Sequence, residues 1–293
     1  MHMLGSIVSA EFAKGPARER SVARIETTEI PGPEAPIPVR IYTPAGVGPF
    51  PSLVYFHGGG WSGGSPAMYD DVCRFLCNRV SCVVVSVDYR LAPKHTFPAA
   101  FEDAYAATLW VRNNPGRLNS DPERIAVAGD SAGGNLAAAV ALASRDRGGP
   151  KLVLQVLAFP STDLASLDTE SYRQNNTAAG LTRQEVMSFR DQYMPVPEDR
   201  LNPYASPLRA SNHQGLPPAL VIVGEIDVLL DDGLQYGAKL AASGVPVRTV
   251  RLAGQGHAVV VWATASQKAR TALDATVQAL NEAYYVKIFQ KDN

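Results

Sequence analysis

The segment Gly129-Asp130-Ser131-Ala132-Gly133-Gly134-Asn135 holds the residue types and spacing that point most directly to chemistry. It follows the apolar run Ile125 to Ala128 and leads into the Ala/Leu-rich stretch Leu136 to Leu142. A strand that stops at Gly-x-Ser-x-Gly and resumes as a helix sets its serine on a tight, strained corner, with Oγ clear of the sheet. Glycines flank the serine because a Cβ there would strike the neighbouring strand or helix. The following helix aims unpaired N–H groups at any negative charge that forms beside the serine. A serine hydroxyl becomes a nucleophile only with a base to take its proton, and that base needs an acid to hold its tautomer. In an open α/β sheet such partners stand just past the carboxyl ends of strands. Gly224-Glu225-Ile226-Asp227 follows one later strand, and Gly254-Gln255-Gly256-His257 follows the next. Of the five histidines, only His257 lies C-terminal to a post-strand carboxylate, which gives the order Ser131, Asp227, His257. Glu225 is a rival acid, whereas Asp231 and Asp232 suit the first turn of a helix.

Acyl transfer builds an oxyanion, so donors are needed opposite the nucleophile. His57-Gly58-Gly59-Gly60-Trp61 follows the strand Ser52 to Phe56. Only glycines let a backbone come so close while presenting successive N–H groups. The N–H groups of Gly58 and Gly59, with that of Ala132, are the expected donors. Asp130 and Trp61 are expected at the substrate, although packing on the glycine loop would account for Trp61 equally well. A different chemistry competes for the same glycines. Gly58-x-Gly60-x-x-Gly63 fits the dinucleotide fingerprint, with Asp88 placed for a ribose, and would make the chain a nicotinamide-dependent oxidoreductase. That reading leaves Ser131, Asp227 and His257 without a role. It also needs a helix to start within the glycines, whereas Pro66 marks a later start.

The elements that must position these residues read as one α/β domain over residues 1–293. Val22 to Ile30 and Ile37 to Tyr42 alternate apolar and polar residues, as antiparallel strands with one wet face do. Ser52 to Phe56, Cys82 to Val87, Ile125 to Ala128, Leu152 to Ala158, Ala219 to Val223 and Val247 to Leu252 are short apolar runs. Such runs are typical of parallel strands buried on both faces. Helical stretches lie between them at Met68 to Val80, Pro98 to Asn113, Asn135 to Arg145 and Asp231 to Ser243. Another occupies much of Trp262 to Lys287. The expected architecture is a mostly parallel sheet of about eight strands with helices on both sides. Only the connection Ser161 to Pro218 is too long for a plain crossover. It carries a helical piece, Arg183 to Tyr193, and reads as a partial lid.

Composition narrows the function classes further. The net charge is −1, with no basic block, which argues against nucleic-acid or anionic-membrane partners. No apolar stretch approaches the roughly 18 residues of a membrane span, and the N-terminus lacks the basic region of a signal peptide. Cys73 and Cys77 are one helical turn apart but have no second ligand pair for zinc. With Cys82 they read as reduced packing residues, which suits the cytoplasm.

Taken together, His57 to Trp61 and Gly129 to Asn135 resemble the two signature motifs of the bacterial hormone-sensitive-lipase-like esterases, a branch of the α/β-hydrolase fold. Asp88-Tyr89-Arg90-Leu91-Ala92-Pro93-Lys94-His95-Thr96-Phe97-Pro98-Ala99-Ala100, between them, is also similar to that family. The resemblance spans most of Ile37 to Ala263. It implies hydrolysis of short-acyl carboxylic esters without cofactor or metal. It also implies Ser131 as nucleophile, His257 as base, Asp227 as its orienter, and Gly58, Gly59 and Ala132 as oxyanion donors. A homodimer through the edge strand 247–252 is a further implication. In the family the glycine motif usually follows N-terminal capping helices. Here only residues 1–20 precede the first strand, so the expectation is a cap remnant and a more open acyl pocket. Val228 and Ala258-Val259 stand where the family often has Pro and Gly-Phe, which puts those loop conformations in question. Some relatives that lost the histidine, such as the plant gibberellin receptors, only bind small molecules; the presence of His257 argues against that alternative.

Overall fold

Short β-branched runs become strands because branched side chains pack well on a pleated surface that is covered on both sides. The computed structural model describes residues 20–175, 180–257 and 267–285. Its strands are β1 (Arg24–Ile30), β2 (Ile37–Thr43), β3 (Phe50–Phe56), β4 (Val83–Val87), β5 (Ser120–Asp130), β6 (Leu152–Ala158), β7 (Ala219–Gly224) and β8 (Val247–Leu252). They form one sheet in the order β1-β2-β4-β3-β5-β6-β7-β8. β2 pairs antiparallel with both β1 and β4, and every other neighbouring pair is parallel. Every residue of β3, β4 and β7 is buried, whereas the edge strands β1 and β8 are largely half-exposed or exposed.

Helices cover both faces: α1 (Asp70–Val80), α2 (Ala99–Asn113), α3 (Ala132–Asp146), α6 (Leu230–Ala242) and α7 (Gln267–Tyr285). The period of two along β3 sorts the core. Val54 and Phe56 pack with residues of α2, α3 and α6, while Leu53 and Tyr55 pack with residues of α1 and α7. Cys73, Cys77 and Cys82 are buried free thiols in the second layer. Burial pushes the Cys77 thiol up to about 12, so it packs as a neutral side chain.

The structure departs from the sequence reading at two boundaries beside the serine. β5 begins at Ser120 rather than Ile125: Ser120 pairs with Phe50, and the register then shifts so that Ile125 pairs with Ser52, with residues 121–124 bulged between the two. α3 begins at Ala132 rather than Asn135. Glycine is a poor helix former, but a Cβ on Gly133 would lie 2.0 Å from the Phe56 carbonyl oxygen. Close packing of helix on strand is thus why glycine occupies the first turn.

The long connection between β6 and β7 carries α4 (Glu170–Gln174) and α5 (Arg183–Tyr193). α5 starts at a capping box in which Thr182 and Glu185 each satisfy the other's backbone N–H. The Asn135 amide, in the first turn of α3, donates to the carbonyls of Ser161 and Ala205, both at 2.8 Å. The excursion is thereby pinned to the helix that carries the serine. Residues 1–19 of the expected cap remnant, and Ala258 through Ser266 of the C-terminal stretch, lie outside the described residues. No described helix is long and apolar enough to cross a membrane.

Candidate active site

Ser131 follows β5 directly and caps α3 with φ +55° and ψ −119°. That region is costly for a residue with a Cβ, by roughly 1–3 kcal/mol. The surroundings hold it there: its N–H donates to the Ala158 carbonyl at 2.8 Å, and Gly129 and Gly133 admit the backbone contacts on either side. The strained corner expected from Gly-x-Ser-x-Gly is present.

The loops after β7 and β8 bring the acid and the base to this corner. The Ser131 Oγ lies 2.9 Å from His257 Nε2, and His257 Nδ1 lies 2.8 Å from Asp227 Oδ2. A carboxylate only accepts, so Nδ1 carries the proton and Nε2 is left to accept from the serine. The histidine side chain is 6 % exposed and the aspartate 1 %. The other oxygen, Asp227 Oδ1, accepts from the Leu229 N–H, and the Asn175 amide donates to the Asp227 carbonyl. Burial works against the charged imidazole. The Asp227 charge, its hydrogen bond and the Asp130 charge outweigh burial, so the His257 pKa is raised above the ordinary imidazole value. The rival carboxylates stand elsewhere. Glu225 accepts from the Gly254 N–H, while Asp231 and Asp232 occupy the first turn of α6.

The N–H groups of the glycine loop differ in their engagement. The Gly58 N–H is already engaged, donating to the Tyr69 hydroxyl at 3.0 Å. The N–H groups of Gly59, Gly60 and Ala132 make no hydrogen bond among the described residues. Of the three expected donors, Gly58 thus has its N–H occupied, whereas Gly59 and Ala132, and the neighbouring Gly60, hold theirs unengaged among the described residues. His57 braces the same loop from below. Its Nδ1–H donates to the Gly58 carbonyl, its ring stacks on Tyr89 at 4.3 Å, and burial lowers its pKa to about 4, so it stays neutral.

Asp130 stands beside the same loop. It borders the cavity, but its two oxygens accept from the Tyr55 hydroxyl at 3.1 Å and the Tyr69 hydroxyl at 2.8 Å. It packs against Gly58 of the glycine loop, with both oxygens occupied. Burial pushes its carboxyl up to about 6 against those two hydrogen bonds. Trp61 lines the cavity and stacks on Tyr193 of the long connection, with centroids 4.8 Å apart.

A cavity of about 230 Å³ opens above Ser131 and His257. Leu181, Val186 and Phe189 from α5 and the turn before it wall one side, with Leu229 and Met68 completing the apolar lining. The more open pocket expected from the short N-terminal segment is, on this side, covered by a helix. The walls were legible only as an unspecified lid segment. Tyr69 escaped the sequence reading because nothing local marks a tyrosine ahead of a helix as a loop anchor. The dinucleotide arrangement is not formed: α1 begins at Asp70, after further turns, so no helix N-terminus meets the glycines. Among the described residues no group of three or more His, Cys, Asp or Glu is placed to hold a metal.

Residues 53–261 match a family described as alpha/beta hydrolase fold. The chain is 43% identical over 224 residues to the carboxylic ester hydrolase LipN of Mycobacterium tuberculosis, covering 74% of this chain and 59% of that protein. It is 41% identical to the carboxylesterase NlhH of the same organism, covering 85% of this chain and 79% of the relative. Among solved structures, an esterase from Pyrobaculum calidifontis superposes with a TM-score of 0.87 at 42% identity, covering 91% of this chain and 88% of that one. The thermostable carboxylesterase EstE1, cloned from a metagenomic library, superposes with a TM-score of 0.88 at 39% identity, covering 92% and 94%.

Proposed function

The chain belongs to the α/β-hydrolase family, among its hormone-sensitive-lipase-like carboxylesterases, and from that premise we propose that Ser131, His257 and Asp227 carry a two-step hydrolysis of carboxylic esters. Ser131 Oγ forms a bond to the ester carbonyl carbon while His257 Nε2 takes the hydroxyl proton. The carbonyl oxygen, now negative, lies among the N–H groups of Gly59, Gly60 and Ala132. Collapse breaks the bond to the alkoxy group, which leaves as an alcohol with the proton from His257. Water, deprotonated by the same imidazole, then attacks the acyl-serine. The second collapse returns the proton to Ser131 and frees the acid. Asp227 stays ionised throughout and keeps Nδ1–H pointed away from the serine.

The observation that carries this reading is the unbroken chain of 2.9 and 2.8 Å contacts from Ser131 through His257 to Asp227, beside N–H donors that have no acceptor among the described residues. An apolar cavity of about 230 Å³ suits short- to medium-chain acyl groups. The half-exposed edge strand β8 is the surface through which two copies pair, and three buried free thiols suit a cytoplasmic setting. The test is hydrolysis of p-nitrophenyl esters from acetate to palmitate by wild type and Ser131→Ala. Activity should be strongest at short chains, and the variant should lose on the order of 10⁴-fold or more in kcat. A variant that keeps a tenth of the activity would remove Ser131 from the mechanism.

A further inference from the structure

We propose that Tyr69 is a positioning residue for the oxyanion loop, its hydroxyl tying the Gly58 N–H to the Asp130 carboxylate beside the nucleophile. The inference rests on the ester-hydrolysis reading above. Three distant segments meet at this hydroxyl: the loop after β3, the turn before α1 and the end of β5. The direction of each hydrogen bond follows from the donor inventory. An ionised carboxylate only accepts, so the Tyr69 hydrogen goes to Asp130 Oδ2 at 2.8 Å, which leaves a lone pair for the Gly58 N–H at 3.0 Å. Asp130 immediately precedes Ser131 in the chain. The tie therefore fixes the loop that carries Gly59 and Gly60 to the corner that carries the attacking oxygen.

The fit around Gly58 supports the same assignment. A Cβ there would stand 2.5 Å from Asp130 Oδ2 and 2.9 Å from the Tyr69 oxygen, so the loop backbone sits directly on this pair. The Tyr69 ring is held independently of its hydroxyl, buried and packed near Tyr55 and His57. Tyr69→Phe thus preserves the ring packing and removes one oxygen. The Gly58 N–H then loses its hydroxyl acceptor and has only the Asp130 carboxylate beside it, so the loop shifts towards that carboxylate to keep the N–H satisfied. Gly59 and Gly60 move with it, away from the position of the oxyanion. Tyr55 gives the matching control, because its hydroxyl reaches Asp130 Oδ1 and does not touch the loop.

The experiment compares wild type, Tyr69→Phe and Tyr55→Phe for hydrolysis of p-nitrophenyl butyrate and for inhibition by an alkyl trifluoromethyl ketone, whose serine adduct carries an oxyanion. In Tyr69→Phe, kcat should fall on the order of 10- to 100-fold, less than or comparable to deleting one donor outright, with KM changed by less than about threefold. Ketone affinity should weaken by the same factor as kcat/KM, and Tyr55→Phe should lose no more than about threefold in kcat. Wild-type kcat and ketone affinity in Tyr69→Phe would overturn the assignment, as would a loss confined to KM or an equal loss in Tyr55→Phe. Circular dichroism checks that each variant is folded. Should Tyr69→Phe not fold, Asp130→Asn, which leaves one amide oxygen for two hydroxyls, must show the same matched loss of kcat and ketone affinity. A wild-type protein inert to both ester and ketone would instead sink the ester-hydrolysis reading itself.

Discussion

Replacing Phe189 by alanine should move the acyl-chain preference of this protein towards longer esters. Phe189 lies on α5, lines the cavity, and places its ring where Gly60 would otherwise carry a Cβ, with ring atoms 2.4 to 2.7 Å from that position. Removing the ring extends an apolar space of about 230 Å³ along the inner face of α5. Each methylene that passes from water into such a space is worth about 0.8 kcal/mol. About three further methylenes then give about 2.4 kcal/mol, which is about 60-fold in the kcat/KM ratio of octanoate to butyrate. Short esters gain nothing and lose contacts with the ring, so acetate and butyrate should weaken by about tenfold or less. The ring is only partly buried, so the stability cost should stay below the roughly 3–5 kcal/mol of a fully buried phenylalanine. The assay is kcat/KM across p-nitrophenyl acetate to laurate, kept below the concentrations at which the longer esters form micelles. An octanoate-to-butyrate ratio within twofold of wild type would show that Phe189 does not bound the acyl site. A uniform drop at every chain length would mean that the ring supports Gly60 instead.

The base makes a second prediction. His257 must be neutral to accept a proton, and its pKa is raised, so activity should be full above that pKa and fall as pH drops through a value higher than the ordinary 6.5. Asp227→Asn removes the charge that opposes burial; the acid limb of kcat/KM should move to lower pH while the plateau drops by about 10³- to 10⁴-fold, and an unmoved limb would exclude this pair. A third concerns packing: Gly133→Ala should destabilise by at least about 3 kcal/mol in urea unfolding, because the atoms its Cβ meets are backbone oxygens of Phe56 and His57. Gly116→Ala, with nothing within 4 Å, should be neutral or stabilising by up to about 1 kcal/mol, and similar losses at both sites would refute the packing argument.

The sheet and the serine, acid and histidine positions were legible because the relevant signals are local. β-branched runs mark strands, and the loops that follow successive strands of a parallel sheet share one rim, so Asp227 and His257 converge on Ser131 by topology. Helix boundaries were less legible wherever a local preference opposes a packing need. Gly133 and Gly134 fall before the expected helical stretch Asn135 to Arg145, yet they lie inside α3, where Phe56 leaves Gly133 no space for a side chain and Pro160 and Ala158 crowd Gly134. β5 extends back over Asp121-Pro122-Glu123 because Ser120 pairs with Phe50 beyond a register shift, a long-range pairing that hydropathy does not mark.

The choice of Gly58 as an expected donor has a general cause. Three successive glycines announce that N–H groups are available, but sequence does not reveal which of them is already bound. That depends on a hydroxyl brought in by the chain at Tyr69 and fixed by a carboxylate at Asp130. The same two residues explain why Asp130 looked like a substrate contact. Adjacency to Ser131 in sequence suggests adjacency to the reacting ester, but successive residues of a strand point to opposite faces. Asp130, the last residue of β5, therefore directs its carboxylate at Tyr55 and Tyr69, while Ser131 turns the corner into the cavity. One test separates these roles. Asp130→Asn should leave the preference among acyl chain lengths unchanged, because both carboxylate oxygens are held by tyrosine hydroxyls, while lowering kcat for all of them through the loop. A changed chain-length profile with an unchanged kcat would restore Asp130 to the substrate site and detach it from the oxyanion loop.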